Sequence, residues 1–590
     1  MKGKSLLVVS VILILVCGVV ANVIQNDGCN VRVRDVRFAG TGGTMMSGLL
    51  FIPKNATPKT PAPGILAIHG YIITREMQSG FAIEFARRGW VVLELDETGH
   101  GYSDPPVGAN AYGATDGLAY LRSLDIVDKN KIGLEGHSMG GWASVIAAAM
   151  RPNDYKAIVL EGSSTGTTFN KEYIPVPGSP TFPKNLAVVF STFDEWSMLM
   201  WEVPKGSDVV KSEALKKVFG VTDTIVPDKV YGSIEDGTAR VLYQPKTIHN
   251  GDHLSCSAIG YAISWFQKTL GQENTLPASN QIWCWKELAT LVGLIGAILL
   301  LFAAGNLLLQ TGCFSSLNGE PQNPKPASGA GWWIGFAFLF FVPTLTYFPL
   351  TLIGNIAAKA SWLFPQQESN NIMLWLLVNA LLSLIFFTVW HFASNKKKGG
   401  NGMAYGLKTT TGMDWKKIGL SAWFAFLVTA IVYLSVIVIS YFFTVDFRFW
   451  MIPLKPMSPT QTKIALRYLI PFALFYLMFA VVLHGQMRSL KGGTAKRMVM
   501  SMVVAALGYL VMLLVLYIPL LAGGRLSIPD IRMTLYAILA IQMLPLFVIV
   551  SLISSYFYEK TGLVYAGAFT NAMFITWYIV ASEATHIAVH

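Results

Sequence analysis

Nine apolar runs divide this chain and constrain its fold more than any other feature of the sequence. Each run has the roughly 20 residues that an α-helix needs to cross the hydrocarbon core of a bilayer. The runs cover residues 5–24, 287–309, 331–354, 371–393, 418–443, 466–484, 498–521, 532–554 and 562–580. A long polar stretch separates the first run from the other eight. The pattern therefore predicts an N-terminal span, a folded domain outside the bilayer and an all-α polytopic transmembrane domain.

Basic residues between the runs predict an orientation. Lysines and arginines cluster in segments 2–4, 396–417 and 488–497, and such clusters mark cytoplasmic loops. Nine alternating spans put all three clusters on one side of the membrane. The sequence thus predicts a multi-pass protein of the plasma membrane whose polar stretch is extracytoplasmic. These loops account for much of the formal net charge of +11, so a lipid membrane is a predicted partner and nucleic acid is not.

The runs also set the predicted domain boundaries. These are a transmembrane anchor at 1–28, a folded domain at 29–275, a linker at 276–286 and an eight-helix transmembrane domain at 287–590. The first run is longer than a usual signal-peptide core and lacks a good small-x-small cleavage site, which favours an uncleaved anchor.

A serine motif in the polar stretch indicates chemistry. The motif is Gly136-His137-Ser138-Met139-Gly140; an apolar, β-prone run enters it and an alanine-rich helical run leaves it. Glycines on both sides of the serine let a strand and a helix pack closely around a sharp turn, which lifts the hydroxyl to the sheet edge. Ser138 is therefore a candidate nucleophile.

Strands and helices alternate on both sides of this motif, which predicts an α/β fold with a doubly wound, mostly parallel sheet. Other motifs follow the two preceding strands, namely His69-Gly70-Tyr71 and Asp96-Glu97-Thr98-Gly99-His100-Gly101-Tyr102-Ser103. Their order resembles the α/β-hydrolase fold, most closely its dienelactone hydrolase and cutinase-like serine esterase branch. The resemblance covers about residues 31–270, and no family is assigned to the transmembrane domain.

The resemblance implies a triad in the chain order serine, acid, histidine. The histidine takes the proton of the serine, and the acid orients the histidine. Two histidines follow the last predicted strand. His249 leaves room for a loop before the next helix and is favoured as the base, whereas His253 leaves almost none and is the alternative.

Two carboxylates compete for the acid position. Asp223 lies in the segment 220–227, which resembles the acid motif of the family, although residues 214–219 before it have helical as well as strand character. Glu161, directly after the strand that follows the nucleophile, is the alternative. The sequence alone leaves both Asp223 and Glu161 as candidates for the acid.

The resemblance also implies that the backbone N–H groups of Tyr71 and Met139 form an oxyanion hole. It places a cap insertion at about 163–217, rich in apolar residues, which is interpreted as the lining of an acyl pocket, a contact with lipid, a surface packed on the transmembrane domain or a cap packed on its own core. The histidines of the motifs lack metal-ligand spacing, so neither a metal nor a cofactor is predicted.

These expectations combine into a membrane-bound, extracytoplasmic serine hydrolase. The chemistry expected is that of a carboxylic ester hydrolase, an esterase or lipase, acting on a small-molecule, lipidic or acylated substrate. Three alternatives stay open. They are a serine peptidase of the same fold, a transporter-coupled acyl hydrolase or acyltransferase, and an inactive binding module.

Overall fold

The computed structural model describes residues 3–172, 174, 176–271, 276–321, 329–488, 493–528 and 530–589. Residues 29–271 form a sheet domain, and the N-terminal helix together with residues 283–589 forms a helical domain. The helical domain therefore begins inside the predicted linker. Lys2 and Lys491 of the predicted basic clusters, and the predicted domain end at 275, lie outside the described residues.

A single sheet of eight strands is the frame of the sheet domain. The strands are β1 (Val31–Ala39), β2 (Met45–Pro53), β3 (Ala62–Ile68), β4 (Val91–Asp96), β5 (Val127–His137), β6 (Ala157–Glu161), β7 (Leu186–Val189) and β8 (Arg240–Tyr243). They lie in the order β1-β2-β4-β3-β5-β6-β7-β8. β2 pairs antiparallel with β1 and β4, and the other neighbouring pairs are parallel. β5, which leads into Ser138, thus lies near the middle of the sheet.

Helices cover both faces of this sheet. They are α2 (Ser79–Arg87), α3 (Ala114–Ser123), α4 (Met139–Met150), α5 (Ser197–Trp201), α6 (Glu213–Phe219) and α7 (Cys256–Leu270). Apolar side chains of α3 and α4 fill the core on one face, and those of α2 and α7 fill it on the other. Parallel strands covered on both faces are buried along their length, as β3 and β4 are. The predicted α/β architecture is confirmed.

The segment predicted as a cap insertion, 163–217, contains a strand of the sheet itself. β7 pairs with β6 on one side and β8 on the other, and all four of its residues are buried. The four residues of β7 therefore belong to the core, whereas Trp196, Leu199 and Met200 of the same segment line a cavity between the two domains. The strand expected just before Asp223 is instead helix α6, whose first turn is capped by the side chain of Ser212.

The helical domain contains nine long helices in the described part of the chain. They are α1 (Gly3–Gln25), α8 (Trp283–Leu308), α9 (Ala330–Ala357), α10 (Gln367–Trp390), α11 (Trp415–Phe443), α12 (Pro459–Val481), α13 (Thr494–Gly523), α14 (Thr534–Thr561) and α15 (Tyr565–Ser582). Eight of these described helices are long and apolar enough to cross a membrane. The exception is α15, which has 18 residues and is buried along most of its length. The fold is compatible with a multi-pass membrane protein.

Loops at one end of the helical domain pack against the sheet domain. A two-stranded hairpin, β9 (Phe447–Phe449) and β10 (Ile452–Leu454), lies between α11 and α12. Arg448 lies in this hairpin, and Lys455 follows it directly. Arg448 Nη2 and Lys455 Nζ donate to Oε2 of Glu76 in the sheet domain, at 3.3 and 3.0 Å respectively. These ion pairs hold the sheet domain over one end of the helices.

Candidate active site

Ser138 lies on a strained turn between β5 and α4. Its φ is +54°, a left-handed conformation that a non-glycine residue adopts only where its surroundings enforce it. A Cβ at Gly136 would lie 2.2 Å from Gly140 O, and one at Gly140 would lie 2.2 Å from Ile68 O. The Ser138 N–H donates to Glu161 O at 2.8 Å, which ties the turn to the end of β6. The structure thus has the strand–turn–helix geometry that the motif predicts.

A cavity of about 630 Å³ lies beside Ser138, between the two domains. Its sheet-domain wall contains four residues that the sequence predicts as parts of the site. They are Ser138, Met139, Tyr71 and His249. The opposite wall belongs to the helical domain, and its polar members include Asn355, Glu368, Tyr536, Gln542 and His586. A concave space with a mainly apolar lining and a few convergent polar groups is typical of small-molecule sites.

His249 lies against a buried carboxylate on the sheet-domain wall. Its Nδ1 is 2.9 Å from Asp194 Oδ2, and its backbone N–H donates to Glu195 Oε2 at 2.7 Å. Burial lowers the pKa of the imidazole, but the charge and hydrogen bond of Asp194, with the charges of Glu195 and Asp252, outweigh burial and raise the pKa above 6.5. An Nδ1–H held by a carboxylate leaves Nε2 as an acceptor, which is the tautomer that a general base needs.

The carboxylate beside His249 is not the one that the sequence predicts. Asp223 lies in an exposed loop after α6, whereas Asp194 follows β7, the strand assigned to the cap insertion. Asp194 meets His249 because β7 and β8 are adjacent parallel strands, so their carboxyl ends lie side by side. The alternative acid, Glu161, is buried, and burial together with the charge of Asp252 raises its pKa well above the usual range. Neither predicted acid contacts the histidine.

The alternative base, His253, is buried away from the cavity. Its ring packs against His137, with 4.2 Å between ring centroids, and edge-on against Phe81 at 6.3 Å. Burial lowers its pKa to about 3, so this imidazole is neutral near neutral pH. Of the two predicted histidines, the structure brings His249 to the cavity and places His253 in the core.

Two buried histidines hold the oxyanion loop, which we define as residues 69–73. His69 Nε2 accepts from the Glu97 N–H at 3.1 Å, and His100 Nε2 accepts from the Ile72 N–H at 3.3 Å. Each ring thus carries its proton on Nδ1, which donates to a backbone carbonyl at 2.7 and 3.2 Å, respectively. Both histidines therefore support the loop and neither acts as a base.

The two predicted oxyanion-hole residues lie on either side of Ser138. Met139 is the first residue of α4, so its N–H is at the positive end of a helix. Tyr71 follows Gly70, where an added Cβ would lie 3.1 Å from Ser138 Cβ. Both residues line the cavity, although their action as donors stays a prediction.

The helical domain contacts the oxyanion loop directly. The Tyr71 hydroxyl is 2.9 Å from His586 Nε2 and donates to Glu368 Oε1 at 3.3 Å. Along the chain, Glu368 lies about 300 residues from Tyr71 and His586 about 500 residues from it. Sequence reasoning missed this contact, since no local pattern reports a pairing over such a distance.

The helical domain also contacts the histidine loop, which we define as residues 248–253. Trp450 Nε1 donates to Asn250 O at 2.7 Å. The Tyr517 hydroxyl donates at 3.1 Å to Oε1 of Glu195, the carboxylate whose other oxygen accepts from the backbone of His249. Both loops around Ser138 are therefore held from the side opposite the sheet.

Comparisons with known proteins show similarities that fall on the sheet domain. Residues 59–200 match the family model described as serine aminopeptidase, S33. A 2-hydroxy-6-oxononadienedioate/2-hydroxy-6-oxononatrienedioate hydrolase of Cupriavidus pinatubonensis is 35% identical over 89 residues, 15% of this chain and 30% of that protein. A putative non-heme haloperoxidase of Mycobacterium phage D29 is 31% identical over 112 residues, 19% and 39% of the two chains. An esterase of Pyrococcus furiosus has a TM-score of 0.30 and 15% identity, over 41% of this chain and 92% of the esterase.

The chain spans about a third of the length of the curated relatives that it matches. The residues that match the family model run from just before β3, through the Ser138 turn, to α5. They contain the oxyanion loop, the serine turn and Asp194. The sheet order, the strained turn at Ser138 and the family model are all consistent with an α/β-hydrolase fold. The sheet domain therefore has the α/β-hydrolase fold, and residues 59–200 within it match a hydrolase family model.

Proposed function

We propose that this protein is a membrane-bound serine hydrolase whose sheet domain faces away from the cytoplasm and cleaves a carboxylic ester. The comparisons support a hydrolase. The observation that carries the finer proposal is the 2.9 Å contact between His249 Nδ1 and Asp194 Oδ2, on the cavity wall that also holds Ser138. An imidazole oriented by a carboxylate beside a serine on a strained turn is an arrangement that activates a hydroxyl.

The proposed reaction is acyl transfer through Ser138. Its Oγ attacks the carbonyl carbon while His249 Nε2 accepts the hydroxyl proton, and Asp194 stabilises the imidazolium that forms. The N–H groups of Tyr71 and Met139 stabilise the oxyanion. His249 then donates the proton to the leaving alcohol, and an acyl-serine remains. Water releases the acid from Ser138 by the same two proton transfers.

The cavity lining favours a lipidic or acylated substrate. Leu199 and Met200 contribute apolar surface from the sheet domain, and Leu535, Ile538 and Leu539 contribute it from the start of α14. Helix α14 is one of the helices that are apolar enough to cross a membrane. A substrate with an acyl chain therefore finds apolar contacts on both walls.

A serine peptidase is the second candidate function, because the matching family model is described as a serine aminopeptidase. The same groups would cleave an amide, with His249 donating its proton to a leaving amine. Nitrophenyl esters and nitroanilides with matched acyl groups distinguish the two candidates. We expect faster turnover of the esters beyond their higher intrinsic reactivity; selective cleavage of aminoacyl nitroanilides would instead favour the peptidase.

A fluorophosphonate probe tests the nucleophile. The full chain, purified in detergent, should react covalently with the probe, and Ser138→Ala should abolish the labelling. Ser257→Ala, which removes an exposed hydroxyl at the start of α7, is the matched control and should label like the wild type. Labelling that survives in Ser138→Ala would overturn the assignment.

The orientation is tested in intact cells. A protease added outside should cleave loops of the sheet domain if this domain is extracytoplasmic, as the basic clusters predict. Protection in intact cells, followed by cleavage after permeabilisation, would place the domain in the cytoplasm. The proposed chemistry would be unaffected by that result.

A further inference from the structure

Glu368 is a buried carboxylate on the helical-domain wall of the cavity that contains Ser138. It lies in the first turn of α10, and 5% of its surface is exposed. Its Oε1 accepts from Tyr71 OH at 3.3 Å, and its Oε2 accepts from Asn371 Nδ2 at 3.0 Å. Tyr536 OH accepts from the same Asn371 Nδ2 at 2.8 Å. All three neighbours are neutral groups.

The hydrogen-bond partners of Tyr71 and Tyr536 bear on the charge of Glu368. His586 Nδ1 accepts a backbone N–H at 3.3 Å, and His586 Nε2 lies 2.9 Å from Tyr71 OH. Tyr71 OH donates to Glu368 Oε1. The Tyr536 hydroxyl accepts from Asn355 Nδ2 at 3.1 Å, so its hydrogen is available to Glu368 as well. Hydrogen bonds of this kind favour the charged form of a carboxyl group, whereas burial without a cationic partner disfavours it.

No cation of the described chain neutralises this charge. Among the residues that the structure describes, no Lys, Arg or His nitrogen lies within 4.0 Å of the Glu368 carboxylate. Glu76, largely buried at the same domain boundary, contacts Arg75, Arg448 and Lys455. Because a buried carboxylate is costly unless a cation lies beside it, a cationic group of a ligand would supply Glu368 with the kind of partner that Glu76 has within the chain.

A second carboxyl group lies close to Glu368. Glu583, just after α15, has a pKa well above its usual range because it is buried and because Glu368 is close by. Of the two, Glu368 is the one that lines the cavity containing Ser138. The rings of Trp196 and Tyr536 also line the cavity, and aromatic faces attract organic cations.

We propose that Glu368 binds an ammonium group, primary or quaternary, carried by the ester that Ser138 attacks. The inference rests on the proposed function and adds a substrate class, an acyl compound with an organic cation. Tyr71 joins the two subsites, because its backbone serves the oxyanion and its hydroxyl contacts Glu368. An amine on the acyl chain and an ammonium group on the alcohol share this chemistry, and the test distinguishes them.

Matched pairs of esters test the proposal with the full chain in detergent at neutral pH. Nitrophenyl 6-aminohexanoate and nitrophenyl heptanoate differ only by an ammonium in place of a methyl group on the acyl side. Butyrylcholine and 3,3-dimethylbutyl butyrate are the corresponding pair on the alcohol side. We expect kcat/KM to favour the cationic member of one pair by about 10- to 100-fold, the range for a hydrogen bond to a charged group.

Glu368→Gln should remove that preference by lowering kcat/KM for the cationic ester, with less than about a threefold change for its neutral partner. Glu320→Gln, an exposed site in the helical domain, is the control and should keep the preference. A preference that survives in Glu368→Gln, or equal kcat/KM values within both wild-type pairs, would overturn the proposal.

A measurement on the wild type covers the case in which Glu368→Gln fails to fold. (3-Hydroxypropyl)trimethylammonium should slow fluorophosphonate labelling of Ser138, whereas its neutral carbon analogue 4,4-dimethylpentan-1-ol should not at the same concentration. Equal protection by both, or none, would refute the ammonium site. Absence of labelling in the wild type would instead refute the proposed hydrolase, so the two failures are distinguishable.

Discussion

His249 and His253 lie in the same 3₁₀ turn and are both buried, but they differ in their charged partners. His249 contacts Asp194, and the surrounding carboxylates raise its pKa in spite of burial. His253 packs between the rings of His137 and Phe81, and burial, with smaller contributions from His249, His69 and Arg448, lowers its pKa to about 3. Burial is common to the two, so the anionic partner decides which imidazole can carry a proton.

Exchanging the two histidines for alanine gives the largest expected difference. His249→Ala should lower kcat by at least about 10⁴-fold, because removal of a triad base has an effect of this order or larger. His253→Ala should lower kcat by less than about 10-fold, while the space it leaves in the core lowers the melting temperature. Ester turnover and thermal denaturation of both variants in detergent provide the measurement.

The labelling rate with the fluorophosphonate is the control for that pair. It should fall with His249→Ala and stay near the wild-type value with His253→Ala at a temperature where both are folded. A larger loss for His253→Ala would reverse the assignment of the base.

The carboxylates offer the next largest contrast. Asp194→Asn should lower kcat by about 10³- to 10⁴-fold, because an amide cannot stabilise the imidazolium and favours the wrong tautomer. Asp223→Asn, in an exposed loop, should leave kcat within about twofold of the wild type. Steady-state ester hydrolysis checks both, and a greater loss for Asp223→Asn would restore the acid that the sequence favours.

The difference between these two carboxylates shows what could be predicted from the sequence. Ser138 and its oxyanion neighbours follow from a local motif, since a turn with Gly136 and Gly140 specifies its own geometry. The position of the acid does not follow from a local motif, because it depends on which apolar run forms the strand beside β8. The run from Leu186 to Val189 has the length and composition of a buried strand, and with it as β7 the next acid at a strand end is Asp194.

The helical-domain wall could not be predicted in the same way. Nine apolar runs predict long helices, and eight of the described helices are apolar enough to span a membrane. Hydropathy does not report which helix ends face Ser138. Glu368 and His586 reach Tyr71 only through packing between domains, and the sequence offers no pattern for such a contact.

The pH dependence measures the influence of Asp194 on His249 directly. A general base must be neutral, and the pKa of His249 is raised above 6.5, so kcat/KM should fall as the pH drops through a value above 6.5. Asp194→Asn removes the negative charge that does most to raise this pKa, so the acidic limb of its profile should move to lower pH. A limb at an unchanged pH in Asp194→Asn would show that another group controls it.

The smallest expected effect comes from Glu195, which connects His249 to the helical domain. Burial and the charge of Asp194 raise the pKa of Glu195 to about 7, so part of its population is ionised near neutral pH. That charge in turn raises the pKa of His249. Glu195→Gln removes the charge but keeps an oxygen that accepts the His249 N–H. The acidic limb should therefore move to lower pH by less than in Asp194→Asn, with a change of a few fold in kcat.

Tyr517→Phe is the matched variant on the helical-domain side. It removes the hydroxyl that donates to Glu195 at 3.1 Å but leaves the carboxylate in place. The loss of one neutral donor corresponds to about 1 kcal/mol, so kcat should fall by up to about fivefold while the acidic limb stays within a few tenths of a pH unit. If Tyr517→Phe moves the limb as far as Glu195→Gln does, the helical domain contributes to the electrostatics of the base. If only Glu195→Gln moves it, the contact acts through geometry alone, and the contrast between His249 and His253 originates within the sheet domain.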